Sequence, residues 1–186
     1  MTTDFAGLAV PAADGAPALR LRPWAAGDAE ELALAHRDPA LRRWLATSID
    51  GEAEARRWIA AQADGWADGT RYAFAVLAEE DRRLLGHVAV KRKAAGDASA
   101  EIGYWTAAAA RGRGVAPHAV RAVTGWVLGG GHGTPPDRLE LLHAVDNTAS
   151  CRVAEKCGFA LRAVLDPYPP QFPQPGHRHV HGPAAG

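Results

Sequence analysis

The sequence predicts a single α/β domain built on one mixed sheet with helices on both faces. Three observations carry that expectation. The chain has 186 residues, 47% of them hydrophobic, enough for one substantial core and too little for two. Three β-type runs follow one another between residues 72 and 105 with only short breaks, as an antiparallel meander requires. A strand–helix–strand crossover then follows, and such a crossover sets its strands parallel.

Residues 1–18 are rich in Ala, Pro, Gly and Asp without sustained periodicity, and are expected to be a mobile lead-in. The domain is expected over 19–181, with 182–186 as a tail. Leu19, Leu21 and Pro23 alternate with Arg20, Arg22 and Trp24, the pattern of a half-buried strand. Gly27-Asp28 offers a helix start, and the helix runs to about Arg37. Asp38-Pro39 begins a short helix carrying Leu41, Trp44 and Leu45. A longer helix from about Glu52 places Ala55, Ile59, Ala63 and Trp66 on one stripe.

The runs Tyr72–Leu77 and Leu84–Val90 read as a hairpin across the charged 79–83 turn, and Ala98–Trp105 adds the third strand. Val115–Leu128 has helical periodicity and ends in the glycine-rich loop 129–133, which includes His132. A strand follows from Arg138 to Val145. Asn147 then caps a helix to Cys157, which Gly158 terminates. Phe159–Leu165 reads as a further strand, and the proline-rich 167–175 as a loop. His177, His179 and His181 alternate as on one face of an exposed terminal strand, with no metal expected there.

Lys+Arg and Asp+Glu each number 21, so no global basic field exists to hold nucleic acid or an acidic membrane. No apolar stretch approaches the roughly 18 residues of a membrane span. The two cysteines, Cys151 and Cys157, lie six apart in one helix, too far for a bridge, and a reducing cytoplasm is the expected compartment.

The chemistry concentrates at Arg111-Gly112-Arg113-Gly114-Val115-Ala116, between a strand and a helix. Its glycines let backbone N–H groups surround an anion, and the helix N-terminus adds unpaired donors and a positive dipole end. Pro117 in the first turn forfeits an N–H that the helix would not use. Arg111 and Arg113 add charge suited to a diphosphate. The preceding Glu101-Ile102-Gly103-Tyr104-Trp105, this loop, and then Asn147 to Ser150 with Val153 to Phe159 together resemble the GNAT acetyltransferases. Within them the chain looks most like the ribosomal-protein alanine acetyltransferases of RimJ/RimL type. Leu21-Arg22-Pro23-Trp24 and Asp38-Pro39 fit that N-terminal pattern, and the resemblance covers about residues 19–166.

The resemblance implies a GNAT fold and acetyl-CoA as cofactor, with its pyrophosphate on the amides of Arg111, Gly112, Arg113, Gly114, Val115 and Ala116. It implies a pantetheine arm lying in a splay between the Ala98–Trp105 and Arg138–Val145 strands, beside Tyr104 and Trp105 and meeting Asn147. Direct transfer to an amine then needs a base and an acid. Glu101 is the first choice as base, acting through a water, against the alternative of a strand-end salt bridge. Ser150 occupies the position that RimL-type enzymes are thought to use to protonate the leaving thiolate, against the alternative of a helix-capping serine. Many GNATs carry a tyrosine acid where this chain has Ala154, which excludes that mechanism at that site.

His87 and His143 are candidates to line the acceptor pocket or to sit hydrogen-bonded in the core. Trp24, Trp44, Trp58 and Trp66 crowd the half of the chain where this family builds its acceptor site, and Cys157 reads as core. The expected acceptor is a protein N-terminal amine. A small amine (an antibiotic, polyamine or amino sugar) is a second candidate, and an acyl-CoA-binding sensor without turnover a third. The 167–175 loop is assigned either to the acceptor cleft or to a homodimer contact.

Overall fold

The computed structural model describes residues 5–131, 133–170 and 172–182; His132 and the tail from residue 183 lie outside them. Strand β1 (Leu8–Val10) and β2 (Leu19–Pro23) lead into three helices, α1 (Ala29–Ala35), α2 (Pro39–Trp44) and α3 (Glu52–Asp68). The meander β3 (Arg71–Ala78), β4 (Leu84–Lys91) and β5 (Ser99–Thr106) follows. Helix α4 (Val115–Leu128) crosses to β6 (Arg138–Ala144), and α5 (Thr148–Lys156) leads to β7 (Ala160–Leu165) and β8 (Gly176–His181).

All eight strands form one sheet in the order β1-β2-β3-β4-β5-β6-β8-β7. Every neighbouring pair is antiparallel except β5 and β6, which the α4 crossover sets parallel. Their pairing lasts only from Ser99↔Arg138 to Glu101↔Glu140, although both strands continue.

Each face of the sheet has its own core. Phe74, Val88, Val90, Ile102, Leu139 and Leu141 pack against Val120, Val123 and Val127 of α4 and Ala154 of α5. Helix α4 can cover this face because its buried residues recur at helical spacing from Val115 to Val127. On the other face Ala73, Ala75, Ala89 and Trp105 meet Leu32, Leu41, Ala55 and Ile59 of α1–α3. Complete burial of one such large apolar side chain stabilises the fold by roughly 1.5–3 kcal/mol.

Four local expectations are corrected. Residues 8–10 are not a structureless lead-in but an edge strand antiparallel to β2, and an Ala13–Ala16 bridge turns the chain between them. Three residues are too few for alternation to show. In α3 the stripe passes through Gln62 and Gly65 rather than the exposed Ala63. Gln62 is tolerated because Nε2 donates to Trp58 O (2.9 Å) and Oε1 accepts from Arg71 (3.3 Å).

The third correction concerns β4. The β3–β4 register shifts between Val76 and Leu77, so that Leu85 joins the α4 face while His87 and Ala89 face α1–α3. A bulge of this kind re-aims every residue beyond it. Finally, β8 is no exposed terminal strand. It inserts between β6 and β7, with His179 2% exposed.

Candidate active site

The loop before α4 has the conformation an anion cradle requires. Gly112 and Gly114 are left-handed, at φ 73° and 75°, where a side chain is strained. Gly114 is the N-cap, so the N–H groups of Val115 and Ala116 have no intrahelical acceptor, and Pro117 has no N–H. A Cβ on Gly112 would meet nothing within 4 Å. The turn 12–17 faces Gly112 and Arg113 across an open groove, a flank of the cradle that the lead-in expectation missed. Asp14 in that turn reaches Arg121 of α4 (3.4 Å), and His118 contacts the Pro11 carbonyl (2.7 Å).

The two loop arginines are not equivalent. Arg111 is paired with Asp38, whose other carboxylate oxygen accepts from Ala40 N–H (3.0 Å) to cap α2. Arg113 borders the groove, exposed and without an ion-pair partner among the described residues.

Beside the cradle, β5 and β6 separate after Glu101 and Glu140, opening the sheet. Tyr104 and Trp105 stand on opposite faces there, packed against the α4 core and the α1–α3 core respectively. On the α4 face the Tyr104 hydroxyl donates to Ser150 Oγ (3.0 Å). Burial pushes the Tyr104 phenol up to about 12, with the Ser150 hydrogen bond opposing it, so it stays protonated as a donor. Asn147 Oδ1 caps α5 by accepting from Ser150 N–H (3.2 Å). Ser150 is therefore not the cap, and its own hydroxyl proton is left to donate elsewhere.

On the other face, Glu101 pairs with Lys91 (2.7 Å) and is 40% exposed. A Cβ at Gly103 would meet nothing within 4 Å, so this face of β5 is uncovered between Glu101 and Trp105. His87 lies deeper, enclosed by Trp24, Trp58 and Trp105 with ring centroids 5.4–5.9 Å away. Its Nδ1 is 3.0 Å from Trp24 Nε1 and 3.1 Å from the Phe74 carbonyl, and one nitrogen cannot serve both. An indole N–H can only donate, so the tautomer that satisfies Trp24 carries its proton on Nε2. Burial pushes the ring's pKa down to about 3, and it is neutral near pH 7.

His143 is on the α4–α5 side, beside His177 and His179, so no single pocket takes both it and His87. Trp44 is 38% exposed, lying beneath Arg43, and Trp66 packs against the α4-side core. Burial raises the Cys157 thiol to about 11, as suits a packing residue. The sequence reading missed His36, 2% exposed and edge-on to Trp105 at 5.7 Å, because nothing local marks its burial.

A family-wide sequence model described as an acetyltransferase (GNAT) domain matches residues 18–160. The chain therefore belongs to the GNAT acetyltransferases, enzymes that use acetyl-CoA. Solved structures share its fold at low identity. One, assigned as a ribosomal-protein-serine acetyltransferase from Vibrio cholerae, is 24% identical at a TM-score of 0.75, covering 98% of this chain and 100% of its own. RimL, the ribosomal L7/L12 α-N-protein acetyltransferase, is 17% identical at a TM-score of 0.78, with 94% of each chain covered. The microcin C7 self-immunity acetyltransferase MccE, in complex with acetyl-CoA and AMP, is 19% identical at a TM-score of 0.76, covering 88% of this chain and 92% of its own. No protein of curated function matches the sequence. Among the described residues no helix is long and apolar enough to cross a membrane.

Proposed function

We propose that this enzyme transfers the acetyl group of acetyl-CoA directly to a protein N-terminal α-amine. The observation that carries the reading is the opening of β5 from β6 immediately beside the left-handed Gly112–Gly114 loop and the start of α4. Loop amides with Arg113 would hold the diphosphate, and the open sheet would take the pantetheine arm. A backbone N–H of β5 would then face the thioester oxygen as negative charge develops on it.

In the proposed sequence the neutral amine attacks the thioester carbon from the Gly103 side. Its proton passes through water to Glu101, the C–N bond forms, and the C–S bond breaks. Ser150, already accepting from Tyr104, donates its proton to the departing sulfur and takes the Tyr104 proton in its place, and the proton gained by Glu101 returns through water to Tyr104. The Lys91 pair holds Glu101 at the strand end, which supports both a positioned base and the purely structural alternative. The acceptor class follows from proton availability. An α-amine of pKa about 7.7–8.0 is roughly 10–15% neutral at pH 7, a lysine of pKa about 10.4 only about 0.04%, so a weakly assisted site favours α-amines. The same reading places the enzyme in a reducing cytoplasm, consistent with two free cysteines.

Two expected results test it. Acetyl-CoA at 100 times its dissociation constant should stabilise the protein by about 2.7 kcal/mol, seen as a raised melting temperature. No shift in a cooperatively unfolding sample would sink the cofactor assignment. Glu101→Gln should lower turnover on an N-terminal peptide at least tenfold and shift its pH dependence. A change in stability with the profile intact would return Glu101 to a structural role. Release of CoA with small amines but no peptide would replace the acceptor class, and tight binding without turnover on either would leave an acyl-CoA sensor.

A further inference from the structure

Outside the acetyl-transfer site, β6, β8 and α5 bring together four side chains with metal-ligand chemistry. His143 stands opposite His177 in the β6–β8 register, His179 follows two residues along β8, and Cys151 projects from the first turns of α5. One ligand atom from each lies within 4.8 Å of all the others. No local sequence spacing announces the group, because its members come from three elements. His181, which the sequence placed with His177 and His179, is not among them.

The hydrogen bonds orient these rings. His143 Nδ1 lies 2.8 Å from the Ala144 carbonyl, and His179 Nδ1 lies 3.3 Å from the Phe159 carbonyl. A carbonyl only accepts, so both Nδ1 atoms carry the proton and both Nε2 atoms keep a lone pair. Both of those Nε2 atoms are buried without a hydrogen-bond partner among the described residues, one of them on a residue 2% exposed. Unsatisfied buried acceptors are costly, and two of them in a cluster whose ligand atoms lie within 4.8 Å of one another call for an electrophile between them. A backbone carbonyl behind the ring is also the arrangement that fixes the tautomer of a metal-bound histidine. The remaining pair, Cys151 Sγ and His177 Nδ1, is 3.3 Å apart. Zinc bonds of about 2.0–2.1 Å to nitrogen and 2.3 Å to sulfur give tetrahedral edges of about 3.3–3.6 Å, so small side-chain rotations complete the shell.

We infer that His143, Cys151, His177 and His179 form a tetrahedral site for a zinc-class divalent ion. Three imidazoles and one thiolate select a borderline-soft metal over calcium or magnesium, which take oxygen ligands. Four protein ligands leave no open position, so the ion ties α5 to β6 and β8 rather than activating water. Cys151 follows Ser150 directly, so the tie also fixes the segment that presents the Ser150 hydroxyl.

The test is cobalt(II) added to the full-length, metal-stripped protein under a non-thiol reductant and without CoA. One cobalt per chain should bind, with the intense visible bands of tetrahedral coordination and a thiolate-to-cobalt charge-transfer band, and zinc should displace it. Zinc at 100 times its dissociation constant should raise the folding equilibrium constant about 100-fold. Cys151→Ser should lose the charge-transfer band, and His177→Asn should weaken binding at least 100-fold, with the far-ultraviolet dichroism of both metal-free variants unchanged. Absence of cobalt binding by the folded protein overturns the site. Binding without a thiolate band, or a spectrum unchanged in Cys151→Ser, overturns it equally by placing the metal elsewhere.

Discussion

Gly112→Asp is expected to abolish acetyl-CoA binding while leaving the fold intact. The structure favours this position over Gly114, where a new Cβ would come within 3.1 Å of Ala16 Cβ. At Gly112 the space is open, and aspartate tolerates a left-handed backbone better than most residues. What it brings is a negative charge beside the proposed diphosphate. Two like charges about 4 Å apart at an effective dielectric near 20 repel by about 4 kcal/mol, ample for a hundredfold loss of affinity. Gly112→Asn, similar in shape and uncharged, should bind within a few-fold of the parent. Calorimetric titration of both variants checks the pair. Equal affinity for the aspartate variant removes the diphosphate from this loop.

Acid should destabilise the protein through His87. Its pKa is about 3 in the folded state, against about 6.5 unfolded, so between those values the unfolded chain binds the extra proton. The contribution of the neutral ring is complete above pH 6.5 and is lost progressively as pH falls toward 3. At pH 4.5 the loss is about 2.7 kcal/mol, and His36 and His143, both lowered first by burial, act with the same sign. Urea unfolding at pH 7 and 4.5 should show it. His87→Gln keeps an acceptor for the Trp24 N–H without titrating, and should shrink the pH difference by most of that amount. An undiminished difference would locate the acid sensitivity elsewhere.

The parts of the molecule that the sequence discloses are those whose information is local. The β3–β5 meander and α4 show in their apolar periodicity, and the candidate anion-binding loop stands out because glycines, arginines and a helix start lie within six residues. What stays hidden is set by distant partners. Leu8–Val10 becomes a strand only because β2 offers its edge. The face of His87 depends on a bulge opposite β3 that alternation within β4 cannot reveal. Asp38 and Arg111 are 73 residues apart, so the arginine that looked free for a ligand is engaged by a helix cap. The histidines fared similarly: strand alternation grouped His181 with His177 and His179, whereas the sheet order substitutes His143 and α5 adds Cys151.

The insertion of β8 between β6 and β7 also bears on the order of assembly during synthesis. Strand β6 touches β5 through only three register pairs but β8 through six. A nascent chain can therefore complete its N-terminal half, from β1 through the meander, well before the far wall of the cleft has a partner. Until residues 176–181 emerge from the ribosome, β6 lacks its main partner and β7 has no neighbour in the sheet. Cofactor-binding competence should thus appear late and abruptly, and a chain stalled before β8 would hold a cradle but only one wall of the cleft.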